Sequence, residues 1–470
     1  MTINIKIEQL DEEILAQLRN ESTKGMENPE IKESVSSIIE AVRKDGDAAV
    51  IRFTERFDGV ILEPEELRVP DAAMDAALKS ISQDTIKALE IARDNIRRYH
   101  EKQLPEEWEL ETMTGITTGM LVRPLSKIGI YVPGGKAFYP STVLMCALPA
   151  KVAGVEEIVM VTPPRNDKTV HPVVLAAAKL AGVDKIYMMG GAQAITAMAL
   201  GTVTIPKVDK ITGPGNIYVS TAKHLLQGEV LIDSPAGPSE VLVIGGKSAN
   251  PEAIALDMCA QAEHDEHAIS MAFIETKDLA NELLERLDAM VPKLKRARII
   301  KDSLEAHGKI VVSRDVASDS KSPGNELTKI GDTFVEQAVT VINTIAPEHL
   351  ELMVDEDTTS CILPRIKNAG AIFIGESTPV SLGDYASGTN HVLPTNGMAR
   401  RYSALSTLDF IKIIPVTKAS KEGLKGIAGI VSRLARLEGL EAHARTVEAR
   451  TGQPPAPDPA GPKAMKSSSS

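Results

Sequence analysis

Histidines beside acidic or amide side chains mark four short stretches of this chain: Gln261 with His264, Glu348 with His349, Asp384 with His391, and Glu438 with His443. Imidazole nitrogens and carboxylate or amide oxygens are donors that a catalytic divalent metal takes, and an adjacent Glu-His pair is a ready acid/base couple. The combination points to an enzyme. Gln261 and His264 stand i, i+3 at the end of an expected helix over 251–262, which turns both side chains to one side. His264 as a plain helix C-terminal cap is an equal alternative. His267 is a weaker rival ligand, because the chain is expected to be leaving the helix there. Asp384 and His391 flank a loop, Tyr-Ala-Ser-Gly-Thr-Asn, with no core-like periodicity. Glu348 and His349 are expected to open a helix with Pro347 at its first position, pointing about 100° apart and so suited to separate tasks. The bland alternative for Glu348 is stabilisation of that helix start.

Other reactive side chains read as structural. His100, His171, His224 and His307 lie on ordinary amphipathic or turn segments. Cys146 has no basic neighbour in sequence to lower its pKa, so a nucleophilic role is disfavoured. Cysteines at 146, 259 and 361 form neither a disulfide framework nor a CxxC knuckle, which suits a reducing compartment.

Three glycine-rich turns form a second constellation: Tyr131-Val-Pro-Gly134-Gly135, Gly190-Gly191-Ala-Gln193 and Gly213-Pro-Gly215-Asn216. Each follows an apolar run and precedes a helix-like segment; Ser141 or Thr142 is the expected cap after the first. Singly, each is an ordinary turn. Three on one edge of a sheet form a cradle for phosphate or ribose, at the carboxyl ends of the strands. None is the GxGxxG fingerprint. Gly246-Lys247-Ser248 resembles the end of a phosphate-binding loop, but Val241 stands where its first glycine should be.

The elements that must position these groups follow from periodicity. Up to about residue 125 the chain is highly charged with helical spacing, as at 31–52 and 84–100. Beyond it, short apolar runs (128–132, 158–161, 185–189, 208–211) alternate with helix-like segments (141–153, 173–180, 192–200, 217–226), which predicts βαβ units and a parallel sheet. A second series has strands at 240–244, 268–274, 309–312, 340–345 and 371–374, and helices at 251–262, at 279–290 and from Pro347. The expected fold is α/β with two Rossmann-like parallel-sheet domains. Their bounds are 131–238 on the cofactor side and 239–405 for the metal and catalytic residues. Residues 1–130 form an N-terminal helical segment contributing to the second sheet domain, 406–452 a helical C-terminal arm exchanged between subunits, and 453–470 a Pro/Ser-rich disordered tail.

Composition excludes several classes. Of 470 residues 43% are hydrophobic and 25% charged, as in a soluble globular protein. A net charge of −12 and 3% aromatics leave no basic, base-stacking surface for nucleic acid. The acidic N-terminus is no secretory signal and no apolar run is long enough to span a membrane, so a cytoplasmic protein is expected.

The strings YVPGG, STVLM, GGAQAI, VDKITGPGN, PAGPSEVLV, QAEH, APEHLEL, NAGAIFIG, LGDYASGTNHVLPT and LEGLEAHARTVEAR stand in this order. In them the chain strongly resembles the histidinol dehydrogenase family, from roughly residue 30 to 450. The resemblance implies two successive oxidations, L-histidinol to L-histidinal to L-histidine, with two NAD, one water and a bound zinc. It implies Gln261, His264, Asp384 and His443 as zinc ligands, which also meet the substrate. Glu348 and His349 are implied as the acid/base pair in contact with substrate, His349 as a neutral base. Ser239, His391 and Glu438 are implied as further substrate contacts, and Tyr131, Gln193 and Asn216 as NAD-binding positions. It further implies a homodimer whose C-terminal arm reaches the partner's active site. Two other readings compete: a related zinc- and NAD-dependent dehydrogenase for another alcohol, such as a sulfonated diol, and a two-domain α/β binding protein without catalysis.

Overall fold

Buried runs such as Glu157–Thr162 and Glu240–Gly245 bury every or nearly every residue, so their backbone groups must be satisfied by strands on both sides. The structure, a computed structural model, describes residues 2–23, 28–134, 138–235, 237–314 and 331–452. The chain divides into two compact units, Met1–Leu104 with Leu125–Phe410, and Pro105–Pro124 with Ile411–Ser470. The expected disordered tail lies outside the described residues.

The first unit holds two parallel sheets. One has five strands in the order Lys185–Met188, Glu157–Thr162, Lys127–Tyr131, Lys210–Thr212, Leu231–Ile232. The order reverses beside Lys127–Tyr131, and α/β sheets open a crevice at such a switch point. The N-terminal helices Pro29–Asp45, Asp71–Ser80 and Gln83–Glu101 pack over the helices that flank this sheet. That cover is why Pro140–Ala153 and Gly191–Leu200 carry buried residues nearly all round.

The other sheet has six strands in the order Ile7–Gln9, Lys309–Val312, Ile269–Ile274, Glu240–Gly245, His349–Met353, Ala371–Ile374. Ile7–Gln9 comes from the N-terminus and pairs in parallel with Lys309–Val312. Period-two alternation sorts the sheet's side chains into two cores. Val241, Val243, Met353 and Phe373 meet the Pro251–Ala262 helix on one face, while Leu242, Ile244, Leu350 and Leu352 meet the Phe334–Ile345 helix on the other.

Three local expectations fail here. Residues 340–345, expected as a strand, are the end of the helix Phe334–Ile345. The Thr333–Glu336 capping box starts that helix, and Ala338, Val341, Ile342 and Ile345 form its buried stripe, so helical period overrides the β-branched composition. Ala346, at φ 54, ends the helix in the left-handed region. The expected helix from Pro347 is therefore the buried central strand His349–Met353. Neither Ser141 nor Thr142 caps the Pro140–Ala153 helix; Tyr139 is at its N-cap without a side-chain bond and Pro140 opens it.

The second unit contains strands where helix was expected. Trp108–Met113, Ile116–Pro124 and Ile411–Ala419 form an antiparallel sheet with Ile116–Pro124 in the middle. Two helices follow, Lys421–Leu437 and Glu441–Thr451. They are pinned as a hairpin by Arg436, whose side chain is 3% exposed and which reaches Glu448 at 2.7 Å and Glu441 at 2.8 Å.

A buried ion pair supports the last glycine-rich turn of the five-stranded sheet. Lys223 Nζ donates to Asp233 Oδ1 and to the Gly213 carbonyl, both at 2.6 Å, and the Gly213 amide donates to Asp233 Oδ2 at 2.7 Å. Asp233→Asn keeps the shape but strands a buried ammonium, so unfolding free energy should fall by about 3–5 kcal/mol. Chemical denaturation of the two proteins measures it; a change within error would show the pair to be dispensable.

Candidate active site

The expected acid/base pair sits at the amino end of the six-stranded sheet's centre, and the edge of its neighbour builds it. His349 begins its strand and is in register with Val241, which places Glu348 opposite Glu240. The Glu240 amide donates to Glu348 Oε2 at 2.8 Å. His349 Nδ1 lies 3.0 Å from the Glu240 carbonyl, which can only accept, so Nδ1 carries the proton. His349 Nε2 is left buried, without a hydrogen-bond partner among the described residues, 3.6 Å from Asp384 Oδ1. Both residues are 5% exposed.

Burial raises the Glu348 carboxyl to about 7, against the lowering pull of His349. Burial also works against a charged His349, yet the Glu348 and Asp384 carboxylates overcome it and raise that imidazole to about 9. A divalent cation held by Asp384 would offset that pull and lower the imidazole toward the neutral form a base requires. Asp384 itself is held below the usual carboxylate range, because the facing His349 imidazole outweighs its desolvation.

Other expected site residues gather at this edge. Gln261 closes the last turn of the Pro251–Ala262 helix, and His264 follows on a turn whose amide donates to the Gln261 carbonyl at 3.2 Å. Gln261 is buried, with its Nε2 unpartnered among the described residues. Asp384 lies on the short helix Val380–Tyr385, and its carbonyl meets His391 Nδ1 at 2.9 Å. The side chains of His264, His349, Asp384 and His391 are near enough for their charges to act on one another. Ser239 immediately precedes Glu240, and its carbonyl accepts from the Ile269 amide. Glu438 and His443 belong to the second unit and are exposed. His267 is exposed beside Glu266, away from this group.

An amide, an imidazole and a carboxylate from Gln261, His264 and Asp384 are one donor short of the four that zinc takes. Only two of them are His, Cys, Asp or Glu, and among the described residues no three such side chains are grouped to hold a metal. The donor types, an imidazole nitrogen with amide and carboxylate oxygens, fit a metal centre that takes its fourth ligand from elsewhere.

The three positions expected to bind the cofactor line a different space. A cavity of about 1220 Å3 at the carboxyl edge of the five-stranded sheet is bounded by Tyr131, Gln193, Asn216, Asp58, Phe138 and His171, among others. The Tyr131 hydroxyl accepts from the Gly191 amide at 3.2 Å. Asn216 caps the Ile217–Leu225 helix, its Oδ1 taking the Tyr218 and Val219 amides at 3.1 Å, which leaves its amide nitrogen for a ligand. Gln193 is fully buried, with both amide atoms unpartnered among the described residues. Gly213, at φ +113, lets the turn pass so close to Tyr131 that a Cβ would lie 2.2 Å from its carbonyl oxygen. Gly135 lies outside the described residues.

Sequence reading missed two features of this cavity. Asp58 ends an ordinary helix, and burial raises its carboxyl to about 6. His171, read as unremarkable, caps the Pro172–Ala181 helix and stacks on Phe138 with ring centres 3.7 Å apart. Neither position has a local sequence signal.

Two parallel α/β sheets, a buried Glu-His couple and a separate polar cavity define an α/β enzyme. The histidinol dehydrogenase family model matches residues 21–451. A histidinol dehydrogenase of Syntrophotalea carbinolica is 46% identical over 91% of this chain and 94% of its own, and that of Aquifex aeolicus is 49% identical over 82% and 84%. The crystal structure of histidinol dehydrogenase from Elizabethkingia anophelis superposes with a TM-score of 0.86 at 35% identity, covering 96% of this chain and 98% of that one. The chain belongs to the histidinol dehydrogenase family and is an oxidoreductase.

The buried cysteines are chemically quiet: burial pushes the Cys146 and Cys259 thiols up to about 12, while Cys361 is exposed. A thiol reagent should therefore titrate one group in the folded protein and three after unfolding; rapid labelling of a second thiol in the native state would contradict the burial.

Proposed function

We propose that the chain oxidises L-histidinol through L-histidinal to L-histidine with two NAD, as a zinc-bound cytoplasmic homodimer in histidine biosynthesis. The observation that carries this reading is His349: one ring nitrogen is committed to the Glu240 carbonyl, and the other is buried and unpartnered beside Asp384. An imidazole so held is a base with one direction of attack. No helix among the described residues is long and apolar enough to cross a membrane.

Gln261, His264, Asp384 and His443 would hold the zinc, which when bound supplies a Lewis acid for the substrate hydroxyl. Tyr131, Gln193 and Asn216 would hold NAD, the acceptor of each hydride. His349 takes the hydroxyl proton at Nε2 in the first oxidation. Glu348, raised toward neutrality by burial, receives a proton from the water that hydrates the aldehyde, preparing the second hydride transfer. Ser239, His391 and Glu438 are assigned to substrate contact. Burial around His349 keeps bulk water from the aldehyde between the steps.

The homodimer reading rests on the C-terminal hairpin. Ile430, Leu434, Leu437 and Leu440 are 41–60% exposed and recur at three- and four-residue spacing, the stripe of a helix that seeks a partner. Glu438 and His443 stand beside that stripe in sequence, which suits delivery to a second copy's site.

Purified protein given zinc, NAD and histidinol should produce NADH, and a chelator should abolish it; no NADH from histidinol, or NADH only from a sulfonated diol, refutes the assignment. Glu348→Gln should slow oxidation of histidinal at least tenfold more than that of histidinol, and equal losses would undo the division of labour. Leu434→Asp should turn a dimer into a monomer in sedimentation, with loss of activity; an active monomer would defeat the shared-site reading.

A further inference from the structure

One buried group beneath the candidate site has no part in the reaction. Glu351 is two residues beyond His349 on the same strand, so both side chains point to the face covered by the Pro251–Ala262 helix. It is 1% exposed within a core of Val241, Val243, Met258, Met353 and Phe373. A carboxyl group in such surroundings costs stability unless its oxygens are met. Glu351 Oε1 is met by the Val380 amide, at 2.9 Å. Its second oxygen has no hydrogen-bond donor among the described residues, and Asp257 of the covering helix is near enough for its charge to act on the Glu351 carboxyl.

These two contacts and its own strand link Glu351 to the three elements that hold the candidate site. Asp257 is one helical turn before Gln261 on the Pro251–Ala262 helix, which also leads to His264. Val380 is the first residue of the short helix that carries Asp384. Glu351 belongs to the strand that begins with His349. We propose that Asp257 and Glu351 are a positioning pair, which sets the Gln261–His264 turn and the Asp384 helix at the separation a metal ion requires; this rests on the metal reading above.

Two facing carboxylates would repel, so the pair holds together only with a proton between them. Burial raises both groups, and the charge of Asp257 raises Glu351 further, which puts the proton on Glu351. Protonated Glu351 then donates to Asp257 through one oxygen while the other accepts from Val380. Glutamine reproduces both roles: its oxygen accepts from Val380 and its amide donates to the Asp257 carboxylate. Leucine fills the volume but leaves the Val380 amide and the Asp257 charge unmet. The Val380–Tyr385 helix has only six residues and no side-chain cap, so that amide bond is a large share of its anchorage.

The test uses the full chain as wild type, Glu351→Gln, Glu351→Leu and Asp257→Ala. Zinc affinity is read by competition with a chromophoric chelator, and amide hydrogen exchange is read over residues 380–386. Outer-shell partners of metal ligands typically alter affinity by about 10–100-fold. Glu351→Leu and Asp257→Ala should weaken zinc binding by at least tenfold and speed exchange over 380–386. Glu351→Gln should stay within about twofold of wild type in both. Should Glu351→Leu not fold, Asp257→Ala decides alone, since its side chain is only half-buried at the helix surface. A lowered melting temperature with zinc affinity and exchange unchanged would overturn the proposal, as would Glu351→Gln being as damaging as leucine. Wild type that binds no zinc sinks the metal reading, and exchange over 380–386 then decides whether the pair positions the helix.

Discussion

The peptide group of Glu240 takes two side chains at once: its amide binds Glu348 and its carbonyl binds His349. Two strands have to be in register for this to happen, with His349 beside Val241, and a slip of one residue would carry His349 to the opposite face. The placement of Glu348 and His349 is therefore a property of sheet pairing, and the cores on the two faces of the six-stranded sheet enforce it. Burying each large aliphatic side chain there contributes about 1.5–3 kcal/mol, far more in sum than the local preferences of the segment that carries Glu348 and His349.

The two sheets of the first unit offer different edges. The cavity lined by Tyr131, Gln193 and Asn216 is at the carboxyl ends of its strands, where the helices beginning at Gly191 and Ile217 present their amino termini. That end of a helix favours anions such as the phosphates of a dinucleotide. The His349 group is at the amino ends of its strands, next to the carboxyl end of the Pro251–Ala262 helix. That end carries partial negative charge and favours a cation. One fold thus supplies an anion-accepting edge and a cation-accepting edge without any motif specific to either.

Polar groups beneath these edges hold them in shape. Lys223 and Asp233 brace the Gly213 turn, and Glu351, on the strand His349–Met353, holds the Val380 amide. The Lys223–Asp233 set is buried and matched, and buried Glu351 has one oxygen on the Val380 amide; groups so held tolerate few alternative arrangements. This explains how short elements, the six-residue Val380–Tyr385 helix among them, keep chemistry-bearing side chains in place.

The order of amino acids by itself determined the α/β class, most strands and helices of the two sheets, and the types of group available for chemistry. Those features depend on short-range periodicity and on residue chemistry, and the strings of the histidinol dehydrogenase family were legible without coordinates. Only the tertiary structure decided that 340–345 is helix and that Glu348 and His349 begin a strand, because a capping box and a buried stripe outweighed β-branched composition. It alone placed the antiparallel sheet of the second unit, whose strands Ile116–Pro124 and Ile411–Ala419 are nearly three hundred residues apart in the chain. It also disclosed Asp58, His171, Asp257 and Glu351, whose neighbours in sequence are ordinary. Burial and unlike partners across long separations made these groups significant, and both arise only when distant segments pack.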